Sequence, residues 1–191
     1  MFLWYQNRKA LDLERWQQVG IVDTINLSFQ LQSTGANMAP IMAAACFWDT
    51  SSNTFNFKFG QMGITLLDLY AITDIPVFDR PYQEIDFERE AVAFKADPNH
   101  RNFCKSYEFW VDHYVSQSGE ASGIAFLELW LTKFIVCTST QKITDAWVRA
   151  ATLLFNDHRL GLTQMTLAML YRALYDLSVH PFNYSTISGP L

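Results

Sequence analysis

The sequence predicts a mostly helical α+β domain, a multi-helix globule with one small β-hairpin around residues 53–64. Three observations carry that prediction. Apolar residues recur at helical spacing through the C-terminal half, at Phe126, Leu127, Trp130 and Phe134, then at Leu167, Leu170, Tyr171 and Leu174. The run Thr54–Phe59 alternates strictly, with Phe55, Phe57 and Phe59 on one face and Thr54, Asn56 and Lys58 on the other, as a half-buried strand requires. Half of the 191 residues are hydrophobic and 15% are aromatic, enough to bury one sizeable core. No internal repeat interrupts the chain, and residues 1–191 read as a single domain.

Taken in order, Ala10–Val19 reads as a helix carrying apolar residues at Leu11, Leu13 and Trp16, and Gly20 stops it. Asp23 caps a second helix over Thr24–Leu31, and residues 32–35 form a loop. Met38–Trp48 reads as a short buried helix, with Pro40 tolerable in its first turn. After the alternating strand, Gly60–Gly63 supplies a turn and Ile64 opens a very short return strand. Thr65 and Asp68 then form a short capping box for a helix faced by Leu66, Leu67, Leu69 and Tyr70, ended at Ile75-Pro76.

Asp79–His100 is polar and mixed in charge, with Pro81 and Pro98 as breakers and one helix expected near Phe87–Phe94. Tyr107–Val115 is an aromatic helix, and residues 116–123, rich in Ser and Gly, read as a flexible linker. Three helices follow, Ile124–Val136, Ile143–Phe155 and Thr163–Leu177.

Composition also excludes function classes. Net charge is −5, and the 14 Lys and Arg residues are spread thinly, so the concentrated basic face that grips phosphates is missing. The densest basic point, Arg8-Lys9 with Arg15, is offset by Asp12 and Glu14. Charged residues make up only 17%, below the usual quarter or so, which points to a thick core or a surface covered by a partner. Cys46, Cys104 and Cys137 lie far apart, without disulfide or zinc spacing, and read as reduced, mostly core residues of an intracellular protein. The longest apolar stretch, Ile124–Val136, contains Glu128 and Lys133 and falls short of a membrane span. A soluble chain is expected.

Catalytic constellations are not found. Buried thiols such as Cys46 and Cys137 are inert, and no Gly-x-Ser-x-Gly elbow or phosphate loop occurs. Asp112-His113 and Asp157-His158 point about 100° apart on a helix, without a third ligand at i+3 or i+4. Glu84, Asp86, Glu88 and Glu90 lack the glycine turn of a calcium loop and read as a solvated acidic face. Lys133 is expected exposed on its helix and Lys58 on the polar face of its strand, so no Schiff-base lysine stands out. No catalytic residue, cofactor or metal site is expected.

Several ordered blocks resemble one family. Phe47-Trp48, Thr54-Phe55-Asn56-Phe57, the Gly60-Gln61-Met62 turn, Thr65-Leu66-Leu67-Asp68 and the exit Ile75-Pro76-Val77 resemble the first signature of the plant mobile domain. Phe126–Phe134, with its Leu-x-x-Trp-Leu-like helix, resembles the second, and Arg159-Leu160-Gly161-Leu162 with Ala168–Tyr175 the third. The blocks run from about Trp16 to the C-terminus. Gln61, Gly63 and Asp74 stand where the family usually has Glu, Thr and Gly. The closing Ile187–Leu191 looks like the start of a further helical block, so a fragment of a larger protein is expected.

The resemblance singles out Trp48, Phe55, Phe57, Gly60, Thr65, Leu66, Asp68, Pro76, Trp130, Tyr171 and Arg172 as structural or interaction residues. It implies a nuclear domain of plant transposable elements and of main-like proteins, which support transposon silencing, gene expression and meristem maintenance. Main-like proteins are expected to work with plant phosphatase-like proteins. The "aminotransferase-like" label attached to the family finds no pyridoxal-phosphate lysine here. The expected function is a non-enzymatic protein-interaction module; the alternative is a transposase-associated nucleic-acid-binding domain.

Overall fold

The computed structural model describes residues 1–31, 38–75, 77, 106–137, 142–143 and 145–180. Its helices are α1 (Phe2–Val19), α2 (Val22–Leu31), α3 (Met38–Ala45), α4 (Leu66–Thr73), α5 (Tyr107–Tyr114), α6 (Glu120–Trp130), α7 (Val148–Phe155) and α8 (Leu162–Val179). Three short strands, β1 (Trp48–Asp49), β2 (Thr54–Phe57) and β3 (Gly60–Met62), form an antiparallel sheet in the order β1-β2-β3. The chain is mostly α with a small sheet, as its patterning predicts. Among the described residues, no helix is long and apolar enough to cross a membrane.

Helix α6 is the axis of the fold. Every residue from Ser122 to Trp130 is buried, so this helix has no solvent face and packs against α1, α5 and α7. Three buried indoles are satisfied around it. Trp4 Nε1 donates to Ser122 Oγ at 3.1 Å, Trp110 Nε1 to the Ala125 carbonyl at 2.9 Å, and Trp130 Nε1 to Ser28 Oγ at 3.2 Å. Satisfying these donors lets the three large rings be buried without orphaning their indole N–H groups. Trp4 meets Phe126 edge-on at 5.5 Å, and Trp16 stacks on the same ring at 5.4 Å.

Residues 116–123 are a linker only in part. Glu120–Gly123 forms the first turn of α6, with Ser122 and Gly123 inside the protein. Ser122 Oγ also donates to the Tyr114 carbonyl at 3.0 Å. A Cβ on Gly123 would lie 2.2 Å from Phe155 Cε2 and 2.6 Å from an Arg8 terminal nitrogen. These small residues allow close packing rather than chain flexibility. Beyond α6, Leu131–Ile135 widens into a π-turn, closed by the Val136 N–H donating to the Leu131 carbonyl at 2.9 Å.

Other boundaries also shift. Helix α1 starts at Phe2, because Trp4, Tyr5, Arg8, Asp12, Trp16 and Val19 line one buried face; Leu11 faces solvent. Gly20, at φ 74°, ends it, and the Ile21 N–H donates to the Trp16 carbonyl at 2.9 Å. Asp23 lies in the first turn of α2, not at its cap. Helix α3 stops at Ala45, because Trp48 pairs with Phe55 across the sheet. The hairpin turns at Lys58-Phe59, and Gly60-Gln61-Met62 is the return strand, with Gly60 at φ 141°.

On α4 only Leu69 is buried; Leu67 and Tyr70 are exposed. Cys46 is exposed rather than core, while burial pushes the Cys137 thiol up to about 11. Lys133 is half-buried, its Nζ 5.3 Å from the Phe134 ring, and desolvation lowers its pKa. Cys104, the acidic run Glu84–Glu90, the helix near Phe87–Phe94, the 32–35 loop and Ile187–Leu191 lie outside the described residues.

Candidate interaction surfaces

The three-stranded sheet gathers most of the residues that the sequence singles out. Asp49 organises the β1–β2 turn: its carboxylate accepts from Ser51 Oγ at 2.7 Å, Ser51 N at 2.9 Å, Ser52 Oγ at 3.1 Å and Asn56 Nδ2 at 3.1 Å. These donors favour the charged form, Ser51 most, and hold the carboxyl at about 2. Asn53, at φ 53°, takes the left-handed position in the turn. At the other end, Thr65 and Asp68 form a reciprocal capping box for α4, and the Thr65 contacts lower the Asp68 pKa.

The sheet is anchored at one edge. Trp48 is buried with its ring 4.9 Å from Phe55 and 5.4 Å from Tyr171 on α8. Tyr171 also donates its hydroxyl to the Ile64 carbonyl at 2.6 Å, tying the end of the hairpin to α8. From this anchor the rings run outward. Phe55 stacks on Phe57 at 6.0 Å, Phe57 on Phe59 at 5.2 Å, and Phe47 meets Phe57 at 5.1 Å. Phe59 is 80% exposed, and Phe47 and Met62 are about half exposed at 48% and 54%. The alternating face therefore does not seat wholly on the helices; its outer rings face solvent.

The structure thus brings together Trp48, Phe55, Phe57, Gly60, Thr65 and Tyr171 around the sheet, with Leu66 and Asp68 in the first turn of α4. Trp130 belongs to the main core. Arg172 is exposed and paired with Asp176 at 3.1 Å, an i,i+4 contact on α8. Pro76 lies outside the described residues. Alternation alone gave no signal that Phe47 and Phe59 would be the exposed rings, since it assigns faces without saying which face is covered.

A second feature was not anticipated. An open trough of about 790 Å³ lies between α1, α2 and the C-terminal end of α4. Tyr5 and Phe29, buried and stacked at 4.3 Å, contribute to it, with Phe2, Leu27 and Ile72 as further apolar lining. Its polar centre is Asn26 Oδ1, which accepts from Tyr5 Oη at 2.6 Å and Lys9 Nζ at 3.0 Å. Asp23 and Asp74 also line it and are exposed. Nothing in the sequence marks the trough, because its apolar residues come from three segments.

Among the described residues, no three His, Cys, Asp or Glu side chains converge as metal ligands. Asp157 lies just beyond α7 at φ 62°, and His113 is exposed near the end of α5.

This is a helical domain built on one buried central helix, with a small aromatic sheet anchored at its side. The plant mobile domain model matches residues 20–191, and the chain belongs to that family. No curated protein and no solved structure matches it. Two of the departures from the family pattern fit the local geometry. Gly63 has room for a Cβ, whose nearest neighbour would be Thr54 Cγ2 at 3.6 Å, and Asp74 sits at φ 56°, where glycine is the unstrained residue.

Proposed function

We propose that the chain is a non-enzymatic protein-interaction module of a nuclear plant factor, transposon-derived or acting in transposon silencing and meristem maintenance. The observation that carries this reading is the outward ring series of the sheet, in which Phe47, Phe59 and Met62 stay exposed beside the buried Trp48 anchor. Exposed aromatic side chains held by ring stacking have little rotamer freedom left to lose, which suits an interface anchor. The carboxylates with lowered pKa values, Asp49 and Asp68, are committed to a turn and a helix cap, which supports a scaffold over a catalyst. The partner is a protein, with a plant phosphatase-like protein as the first candidate.

The test is affinity purification of the tagged full-length protein from plant nuclei, beside a Phe47→Ser/Phe59→Ser variant. Recovery of a phosphatase-like companion by the wild type, and its loss with the variant, is the expected result. No stable protein partner, or salt-sensitive binding to duplex DNA in a mobility-shift assay, overturns the reading in favour of nucleic-acid recognition.

A further inference from the structure

We propose that the trough between α1, α2 and the end of α4 receives an amphipathic helix of a partner protein, apolar on one face and flanked by Lys or Arg. The inference rests on the interaction-module reading and deepens it. Shape is the first argument. Helix α1 contributes Phe2, Tyr5, Gln6 and Lys9, and α2 contributes Asp23, Asn26, Leu27 and Gln30 besides the buried Phe29. Both sets follow the i, i+3, i+4, i+7 spacing of a single helical face. Two such faces side by side make a furrow into which the ridge of a third helix fits, the mode by which many proteins bind helical peptides. Apolar contact is available, since Phe2 is 60% and Ile72 69% exposed.

Charge decides which helix. Lys9, the one cation among the described residues that line the trough, already donates to Asn26 Oδ1 at 3.0 Å and to Tyr5 Oη at 3.3 Å. The carboxylates of Asp23 and Asp74 are exposed, and neither forms an ion pair with a described cation. Asp74 also caps the carboxyl end of α4, where the helix dipole adds negative potential. The trough therefore favours cationic flanks and disfavours acidic ones, in the same sense as the chain's net charge of −5.

The probes are two synthetic helical peptides with the same Leu/Ala face, one flanked by Lys and Arg, the other by Glu. Each is titrated against the full chain by fluorescence anisotropy. The basic peptide should bind about tenfold more tightly at low salt, the sum of two partly screened charge pairs, and the advantage should shrink as salt rises. Asp23→Asn/Asp74→Asn should remove most of that advantage, while Ile72→Ser should weaken both peptides, with helicity unchanged in each variant. Asparagine is chosen at 74 because it tolerates the left-handed backbone there.

Equal binding of the two peptides, no binding of either at millimolar concentration, or indifference to all three substitutions overturns the inference. Occupation of the trough by a second copy or by the chain's own residues would appear as one of those results. Partner capture distinguishes this failure from failure of the wider reading. A partner lost on Phe47→Ser/Phe59→Ser but kept on Asp23→Asn/Asp74→Asn removes the trough proposal and leaves the module standing.

Discussion

Replacing Gly123 with alanine adds one methyl group where the start of α6 packs against Phe155 and Arg8. The new Cβ would sit 2.2 Å from Phe155 Cε2 and 2.6 Å from an Arg8 terminal nitrogen. Comfortable contact between carbons needs about 3.5–4.0 Å, so the ring must move by more than an ångström. Neither neighbour moves freely. Phe155 is buried with the Arg15 guanidinium 4.1 Å over its ring, and Arg8 is held by Asp12 and by the Gly119 carbonyl at 3.3 Å. Overpacking of this kind costs about 1–3 kcal/mol, and two fixed neighbours place it at the upper end. Alanine's higher helix propensity returns about 1 kcal/mol. The expected net loss is about 1–2 kcal/mol, seen as a fall in Tm of roughly 2–8 °C for a domain of this size. Thermal and urea unfolding followed by circular dichroism read it directly. A flexible linker at this position would give the opposite sign, a gain of about 0.4–1 kcal/mol through the unfolded state. A variant as stable as the wild type, or more so, refutes the close-packing account.

Four other outcomes follow from the same structure. Asp12→Ala should cost about 3–5 kcal/mol in chemical denaturation, because it strands the buried Arg8, while Arg8→Met/Asp12→Leu should cost much less. Asp49 should titrate near 2 by carboxyl NMR, below its ordinary 3.8. Its contribution to stability is complete above the ordinary value and lost as pH falls through 2, and Asp49→Asn should flatten that acid limb. Asp74→Gly should stabilise by about 0.5–1 kcal/mol and Asp74→Ala should not, since only glycine relieves the strain at φ 56°. Thr65→Ala should cost about 1 kcal/mol and speed amide exchange in the first turn of α4 before the rest of the helix.

The sequence carried the helical class, the last helix and the Thr65 cap, because each has a local cause (apolar residues at a helical period or a side chain within reach of its own backbone), whereas the helix expected over Ile143–Phe155 begins only at Val148, after a 3-10 turn at Asp145–Trp147. The sequence hid what depends on distant partners. Arg8 and Asp12 interrupt the apolar stripe of the first helix, so periodicity alone began that helix at Ala10; in the structure the two charges neutralise each other inside the stripe. Ser122 and Gly123 have the composition of a linker, and only Trp4 and Phe155 reveal them as small residues at a helix crossing. The candidate surfaces divide in the same way. The alternating Phe series was legible, but its exposure was not, because exposure depends on what α8 covers. The trough was invisible, being assembled from two neighbouring helices and the far end of α4, which pattern reading treats separately.

The division between core and sheet bears on function through the cost of exposed apolar surface. Around α6 the indoles of Trp4, Trp110 and Trp130 are enclosed and their N–H groups bonded. The sheet is held mainly by Trp48 and Tyr171, a small anchor that would be stronger if Phe57 and Phe59 also folded back onto α8. Instead the register Phe57↔Gly60 puts a two-residue turn at Lys58-Phe59 and carries the last ring outward. Leaving a side chain of that size in water forgoes roughly 1.5–3 kcal/mol of burial. On the interaction-module proposal, a partner that covers Phe47, Phe59 and Met62 recovers part of that free energy at the interface.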